Sequence, residues 1–138
     1  MADKIQLRIV TPTRLVVDEE VDEVTAPGVL GEFGVLPNHI AFLTLLQPGV
    51  LSYKQGGTTT RLAIAGGYAE VLDNVMTVLA DAAEFAGEID IERARRAKDE
   101  AEKKLSALNL DDRELAILEA AVKRAQARLE VASQEARR

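Results

Sequence analysis

All nine glycines, all four prolines and all five aromatic side chains of this 138-residue sequence lie at or before Gly87. Beyond that point Ala, Glu, Lys, Arg and Leu dominate. Glycine and proline supply the backbone angles of tight turns and weaken helix interiors. A turn-rich, strand-built part therefore ends near this position and a helical part begins. Charge changes at the same place. Residues 1–88 carry 5 basic and 12 acidic side chains, whereas residues 89–138 carry 12 and 11. The expected organisation is an all-β sandwich over residues 1–88 followed by an antiparallel α-helical hairpin over residues 89–138.

Within the first part, Ile5, Leu7 and Ile9 alternate with Gln6, Arg8 and Val10, the period of a half-buried strand. Pro12 ends it. Leu15–Val17 and Val21–Thr25 form a second extended stretch, which Pro27-Gly28 is expected to break. Val50–Lys54 and Thr58–Ala65 flank Gln55-Gly56-Gly57, and Tyr68–Leu72 and Val75–Ala80 flank Asp73-Asn74. Both patterns predict hairpins. Gly31 to His39 contains two glycines and a proline, and is read as a defined loop.

In the second part Asp90 is placed to cap a helix by accepting an orphan backbone N–H. Ala94, Ala97, Ala101, Leu105 and Leu108 then recur at helical spacing. Asn109-Leu110 is the expected stop. Asp111, with Glu114 three residues on, starts a second helix. Its seam is Leu115, Leu118, Val122, Ala125, Leu129 and Ala132. So few large side chains, at about one to two kcal/mol each, hardly offset the ordering entropy of such a segment. The hairpin is expected to be marginal alone and able to detach or repack on a partner.

Several functions are disfavoured by composition. The net charge of -6 opposes nucleic-acid binding and attraction to an anionic membrane surface. There is no cysteine and His39 is the only imidazole, so the usual zinc sites are excluded and no metal site is expected. No apolar run is long enough to span a bilayer, so no direct membrane insertion is expected. Gly66-Gly67 is not followed by the Lys-Ser or Lys-Thr of a phosphate loop. Asp18-Glu19-Glu20 reads as a solvated face rather than an acid/base pair, and His39 as a surface or interface residue rather than a base. No catalytic residue is assigned.

The stretch Gly31-Glu32-Phe33-Gly34-Val35-Leu36-Pro37-Asn38-His39 gains meaning from its neighbours. Val10-Thr11-Pro12 precedes it, and Pro48-Gly49-Val50 and Gly66-Gly67-Tyr68-Ala69-Glu70-Val71 follow. Then come Val78-Leu79-Ala80-Asp81, Ala83-Glu84 and Ile89-Asp90-Ile91-Glu92-Arg93-Ala94. In order and spacing, over the whole chain, this set resembles the epsilon subunit of bacterial F-type ATP synthase.

The resemblance implies a sandwich of about ten strands with two C-terminal helices. It implies a non-catalytic central-stalk subunit at the cytoplasmic face of the bacterial cell membrane. The sandwich would bind the gamma subunit and the c-subunit ring, coupling ion-driven rotation to ATP synthesis. The helices would restrain ATP hydrolysis by reaching the alpha and beta subunits. Glu32, Phe33 and His39 fall in the loops that face the ring, although Phe33 alternatively plugs the sandwich end. Lys123, Arg124, Arg128, Arg137 and Arg138 would meet an acidic stretch of the beta subunit, or simply balance Glu119, Glu130 and Glu135 on a solvated helix. No cofactor is expected, with regulatory ATP as the exception that some members allow. Glu84, Asp90, Arg93, Arg124 and Arg128 match that ATP pattern. Glu100 stands where those members carry another arginine, and its charge would oppose a triphosphate by about 1–4 kcal/mol, depending on the dielectric. The rival readings are a free-standing ATP-binding sensor, an adaptor with another partner, and an enzyme with a carboxylate pair.

Overall fold

The computed structural model describes residues 3–107 and 109–136. Ten strands come first: β1 (Ile5–Val10), β2 (Leu15–Val21), β3 (Glu23–Gly28), β4 (Gly31–Val35), β5 (Phe42–Leu46), β6 (Gly49–Gln55), β7 (Thr58–Ile64), β8 (Gly67–Leu72), β9 (Val75–Ala80) and β10 (Ala83–Phe85). A 3-10 turn, Ala86–Glu88, leads to α1 (Ile91–Leu105) and α2 (Asp112–Ala136). The strands hydrogen-bond in the order β10-β7-β6-β3-β5-β8-β9-β1-β2, with β4 on β3. β2 also packs on β6, so the sheet curls into a near-barrel sandwich.

Period-two alternation fills the interior. Ile5, Leu7 and Ile9 of β1 face Val24, Leu51, Leu62, Ile64, Val71, Met76 and Val78, all fully buried or nearly so. The core is almost wholly aliphatic, and β-branched side chains suit such pleated surfaces. Tyr53 is the one aromatic ring deep inside it, with Phe33 and Phe85 packed at its margins. Burial pushes the Tyr53 hydroxyl up from its ordinary pKa, while a hydrogen bond from Thr60 opposes this.

Three expectations need correction. Pro27-Gly28 does not stand outside the strand but forms the last two paired residues of β3, and Gly31–Val35 is not loop. β3 and β4 pair antiparallel from Val24↔Val35 to Gly28↔Gly31, around a two-residue turn at Val29-Leu30. Gly31 has φ +128, and a Cβ on Gly28 would sit 2.8 Å from the Gly31 carbonyl. The breaker residues are those that a tight hairpin requires. The extended stretch read through Val21–Thr25 is two strands, which part at Asp22.

The helices begin as expected. Asp90 Oδ1 accepts from Arg93 N at 3.0 Å, and Asp111 Oδ1 from Glu114 N at 2.7 Å. Helix α1 ends earlier than the apolar spacing implied, with Ser106 as its C-cap; Leu108 lies outside the described residues. Ala94 and Ala101 are buried against α2, but Ala97 is exposed. On α2 the predicted seam is buried at Ala125 and Ala132, half-buried at Leu118, Val122 and Leu129, and open at Leu115. A second face, Ala127 and Val131, packs on the sandwich. Helix α2 thus lies between α1 and strands β6, β7 and β10.

Gly67 has φ +141, and a Cβ there would lie 2.0 Å from the Leu79 carbonyl oxygen. Gly57 has open space around it. Gly67→Ala is expected to lower stability by about 3 kcal/mol, from backbone strain and overpacking together. Gly57→Ala should change it by less than about 1 kcal/mol. Urea midpoints of the two variants against the parent chain check this pair.

Candidate functional site

Three surface regions stand out. The first is the seam beneath α2. Ala127, Val131 and Ala132 bury against Ala63 and Ile89, with Val50 and Ala86 at the margin. These are small side chains, so the apolar contribution is modest. Polar contacts flank them. Arg128 Nε lies 2.9 Å from Glu84 Oε1, and Arg128 Nη2 donates to Glu84 Oε2 at 3.4 Å. The Nε–H is not aimed at its carboxylate oxygen, so that contact is an ion pair rather than a directed hydrogen bond. Both side chains are mostly screened from water, at 22% and 29% exposure. Lys123 Nζ donates to Gln47 Oε1 at 3.1 Å.

A cleft of about 150 Å³ opens beside this ion pair, lined by Ala63, Ala65, Ala82, Glu84, Arg124 and Arg128. Three of the five residues matched to an ATP pattern are therefore together. The other two stand apart at the start of α1. There Asp90 is engaged as the N-cap and Arg93 is exposed. Glu100 pairs with Lys104 at 3.2 Å on the solvated face of α1. The cleft is smaller than the roughly 300 Å³ at which drug-sized ligand sites begin.

The five basic positions assigned to a beta-subunit contact divide differently. Lys123 and Arg128 are held by the sandwich, and Arg124 is exposed at the cleft mouth. Arg137 and Arg138 lie outside the described residues, and the side chain of Glu135 is not described either.

The second region is an exposed apolar row on the outer face. Register places Leu45 beside Tyr68, Tyr68 beside Leu79, Leu79 beside Val10, and Val10 beside Leu15. Four of these five are about half exposed, and Leu43 extends the patch. A continuous apolar surface of this kind marks a protein interface. The sequence reading missed it. Its signal was there: Phe42-Leu43-Thr44-Leu45-Leu46 is apolar at both parities, as are stretches of β8 and β9.

The third region is the end of the sandwich that carries Glu32, Phe33 and His39. Glu32 points outward, while Phe33 packs against the core. The Phe33 ring meets Phe42 edge-on at 5.3 Å, and Phe42 meets His39 edge-on at 5.9 Å. Phe33 and His39 are thus linked through a ring that the sequence reading did not single out. Around them Leu30 and Ile40 are 98% and 78% exposed.

Between sandwich and hairpin sits Glu88. Its Oε1 accepts from Phe85 N at 3.0 Å, and its Oε2 receives Arg14 Nη2 at 2.6 Å from the β1–β2 turn. The Asp18-Glu19-Glu20 run lies on β2, where Asp18 bonds Gln6 and pairs with Arg8.

Comparisons with known proteins agree over the whole chain. Residues 4–86 match the ATP synthase delta/epsilon chain β-sandwich domain, and residues 88–133 its long α-helix domain. The ATP synthase epsilon chain of Geotalea daltonii is 50% identical over 138 residues, covering all of both chains. That of Syntrophobacter fumaroxidans is 54% identical over 132 residues, covering 96% of this chain and 98% of its own. A chain in the OSCP/F1/c-ring structure of Euglena gracilis mitochondrial ATP synthase superposes with a TM-score of 0.79 at 29% identity, covering 94% of this chain and 81% of that one.

The Phe85 backbone N–H, helped by Arg14, holds the Glu88 carboxyl below the usual carboxylate range, against a smaller opposing effect of burial. A group whose pKa falls on folding stabilises above its unfolded pKa and loses that contribution as pH drops through the folded value. Glu88→Gln should therefore lower the melting temperature at neutral pH, with the gap closing in acid. Melting curves of both chains across that range check the sign.

Proposed function

The chain belongs to the ATP synthase delta/epsilon chain family, and we propose that it is the non-catalytic central-stalk subunit of a bacterial F-type enzyme, working at the cytoplasmic face of the membrane. No helix among the described residues is long and apolar enough to cross a membrane, so attachment would run through protein partners. The exposed row from Leu45 to Leu15 is the surface offered to the gamma subunit. The end bearing Glu32, Phe33, Phe42 and His39 faces the c ring. In this reading the sandwich transmits ring rotation to gamma, and so to ATP synthesis on the beta subunits.

The hairpin is the regulatory part. The carrying observation is that Lys123 and Arg128 are both engaged by the sandwich. These cations serve either Gln47 and Glu84 or an acidic beta-subunit surface, never both at once. Docking is held mainly by alanine-sized contacts and one ion pair, and for a pair mostly screened from water the desolvation of both ions offsets much of their attraction. Release of α2 is therefore inexpensive, and a released hairpin is free to extend toward alpha and beta and restrain hydrolysis. The apolar tip cleft near Leu110, Ile117 and Leu118 is lined by the hairpin alone, and extension would carry it toward a partner.

One observation supports a second reading, ATP as a regulatory ligand of the docked hairpin: Glu84, Arg124 and Arg128 share one cleft. Guanidinium groups grip phosphate well. The present cleft would have to widen to hold the whole nucleotide.

Removing everything after Glu88 should raise ATP hydrolysis by the parent complex while leaving assembly intact. Unchanged hydrolysis with intact assembly would sink the regulatory reading and leave the sandwich as the working part. For ATP, calorimetry of the full chain should show binding that Arg128→Ala weakens about tenfold or more. No heat up to millimolar nucleotide would remove the second reading.

A further inference from the structure

The loop between β4 and β5 lifts Leu36 and Ile40 into solvent and leaves His39 half-buried between them. It opens with a turn in which His39 N donates to Leu36 O at 3.2 Å. Pro37 takes the position where a fixed φ is useful, and Asn38 takes the next with φ +67. This turn is tied down from two distant segments. Asn74, in the two-residue turn between β8 and β9, accepts from Asn38 N through Oδ1 at 2.8 Å. Asn74 Nδ2 donates to Lys4 O at 2.6 Å. The Asn38 side chain in turn donates to Asp3 Oδ2 at 3.0 Å. Asn74 O also accepts from Gln6 N at 3.1 Å. Both ends of the Asn74 amide are thus engaged, and its main chain joins the same cluster. Its φ of +64 would be met by glycine, so the backbone alone does not call for an amide side chain there.

We propose that Asn74 is a positioning residue for partner recognition: acting through Asn38, it sets the pose in which Leu36, His39 and Ile40 meet the c ring. The proposal rests on the ring-facing reading of this end of the sandwich.

Asn74→Gly keeps the left-handed turn and deletes both side-chain bonds. Asn74→Asp keeps the acceptor for Asn38 N–H and exchanges the donor to Lys4 O for an oxygen, which must turn away from that carbonyl. In the full-length chain, amide hydrogen exchange at Asn38 should rise about tenfold or more in Asn74→Gly. It should stay near the parent value in Asn74→Asp, with Met76 and Val78 protected in both. In the assembled complex, protons pumped per ATP hydrolysed should fall with Asn74→Gly and recover with Asn74→Asp, at closely similar melting temperatures. Unchanged Asn38 exchange in the glycine variant overturns the proposal. Faster exchange with unchanged pumping also overturns it, and His39→Ala then separates the causes. If His39→Ala lowers pumping, only the Asn74 role is wrong. If it does not, the ring-facing reading fails as well.

Discussion

The arrangement of the whole molecule depends on one constraint, that the sandwich interior is filled by aliphatic side chains from alternate positions of its strands. Ile5, Leu7, Ile9, Leu51, Leu62 and Met76 are removed from water completely. Burial of that kind contributes about 1.5–3 kcal/mol per large side chain. With the interior complete, the outer face is free to carry other information. In most antiparallel sheets it is polar. Here part of it is apolar from Leu45 across to Leu15, which makes the fold a frame for association rather than a vessel for chemistry.

The hairpin is attached on different terms. Helix α2 meets the sandwich through alanine and valine, and on its α1 side only alanines are fully buried, with Leu118, Val122 and Leu129 half-buried beside them. The sandwich is therefore much more firmly built than the seam that holds the helices to it. Glu88 lies just before the helices and is clasped to Arg14 of the β1–β2 turn, so the connection is anchored on the sandwich side. A stiff platform, a fixed attachment and weakly docked helices are what the proposed regulatory release of the hairpin would require.

Much of this was legible in the residues, and the exceptions have physical causes. Strand β1 announced itself by strict alternation, and β8 and β9 by flanking Asp73-Asn74, residue types that tolerate the positive φ found at both positions. Asp90 and Asp111 showed both helix starts. Strand β4 was hidden because Gly31 and Gly34 look like loop residues, although they serve a tight hairpin. Strand β5 was hidden because Phe42 to Leu46 has no polar parity to reveal a face. Ala127 and Val131 were missed because alanine lies on every face of α2, so the sandwich-facing stripe has no contrast. The Glu84–Arg128 pair spans 44 residues; no local pattern could join them, and only the family resemblance put them in one group. Phe42, which links Phe33 to His39, was overlooked because it lies in the same stretch that has no polar parity.

The parallel ladder between β1 and β9 sets Gln6 beside Val75 and Val10 beside Leu79. During synthesis β1 therefore waits for β9, almost the last strand of the sandwich. Until then β1 has only β2 as a hydrogen-bonded neighbour, and a lone two-stranded ribbon is marginal in water. Closure of such distant pairings is slow compared with the making of helices. During synthesis the hairpin residues emerge only after the strands they rest on, so α2 meets a surface that can already be complete. The order of the chain thus lets docking follow the folding of the sandwich, and be reversed without disturbing it.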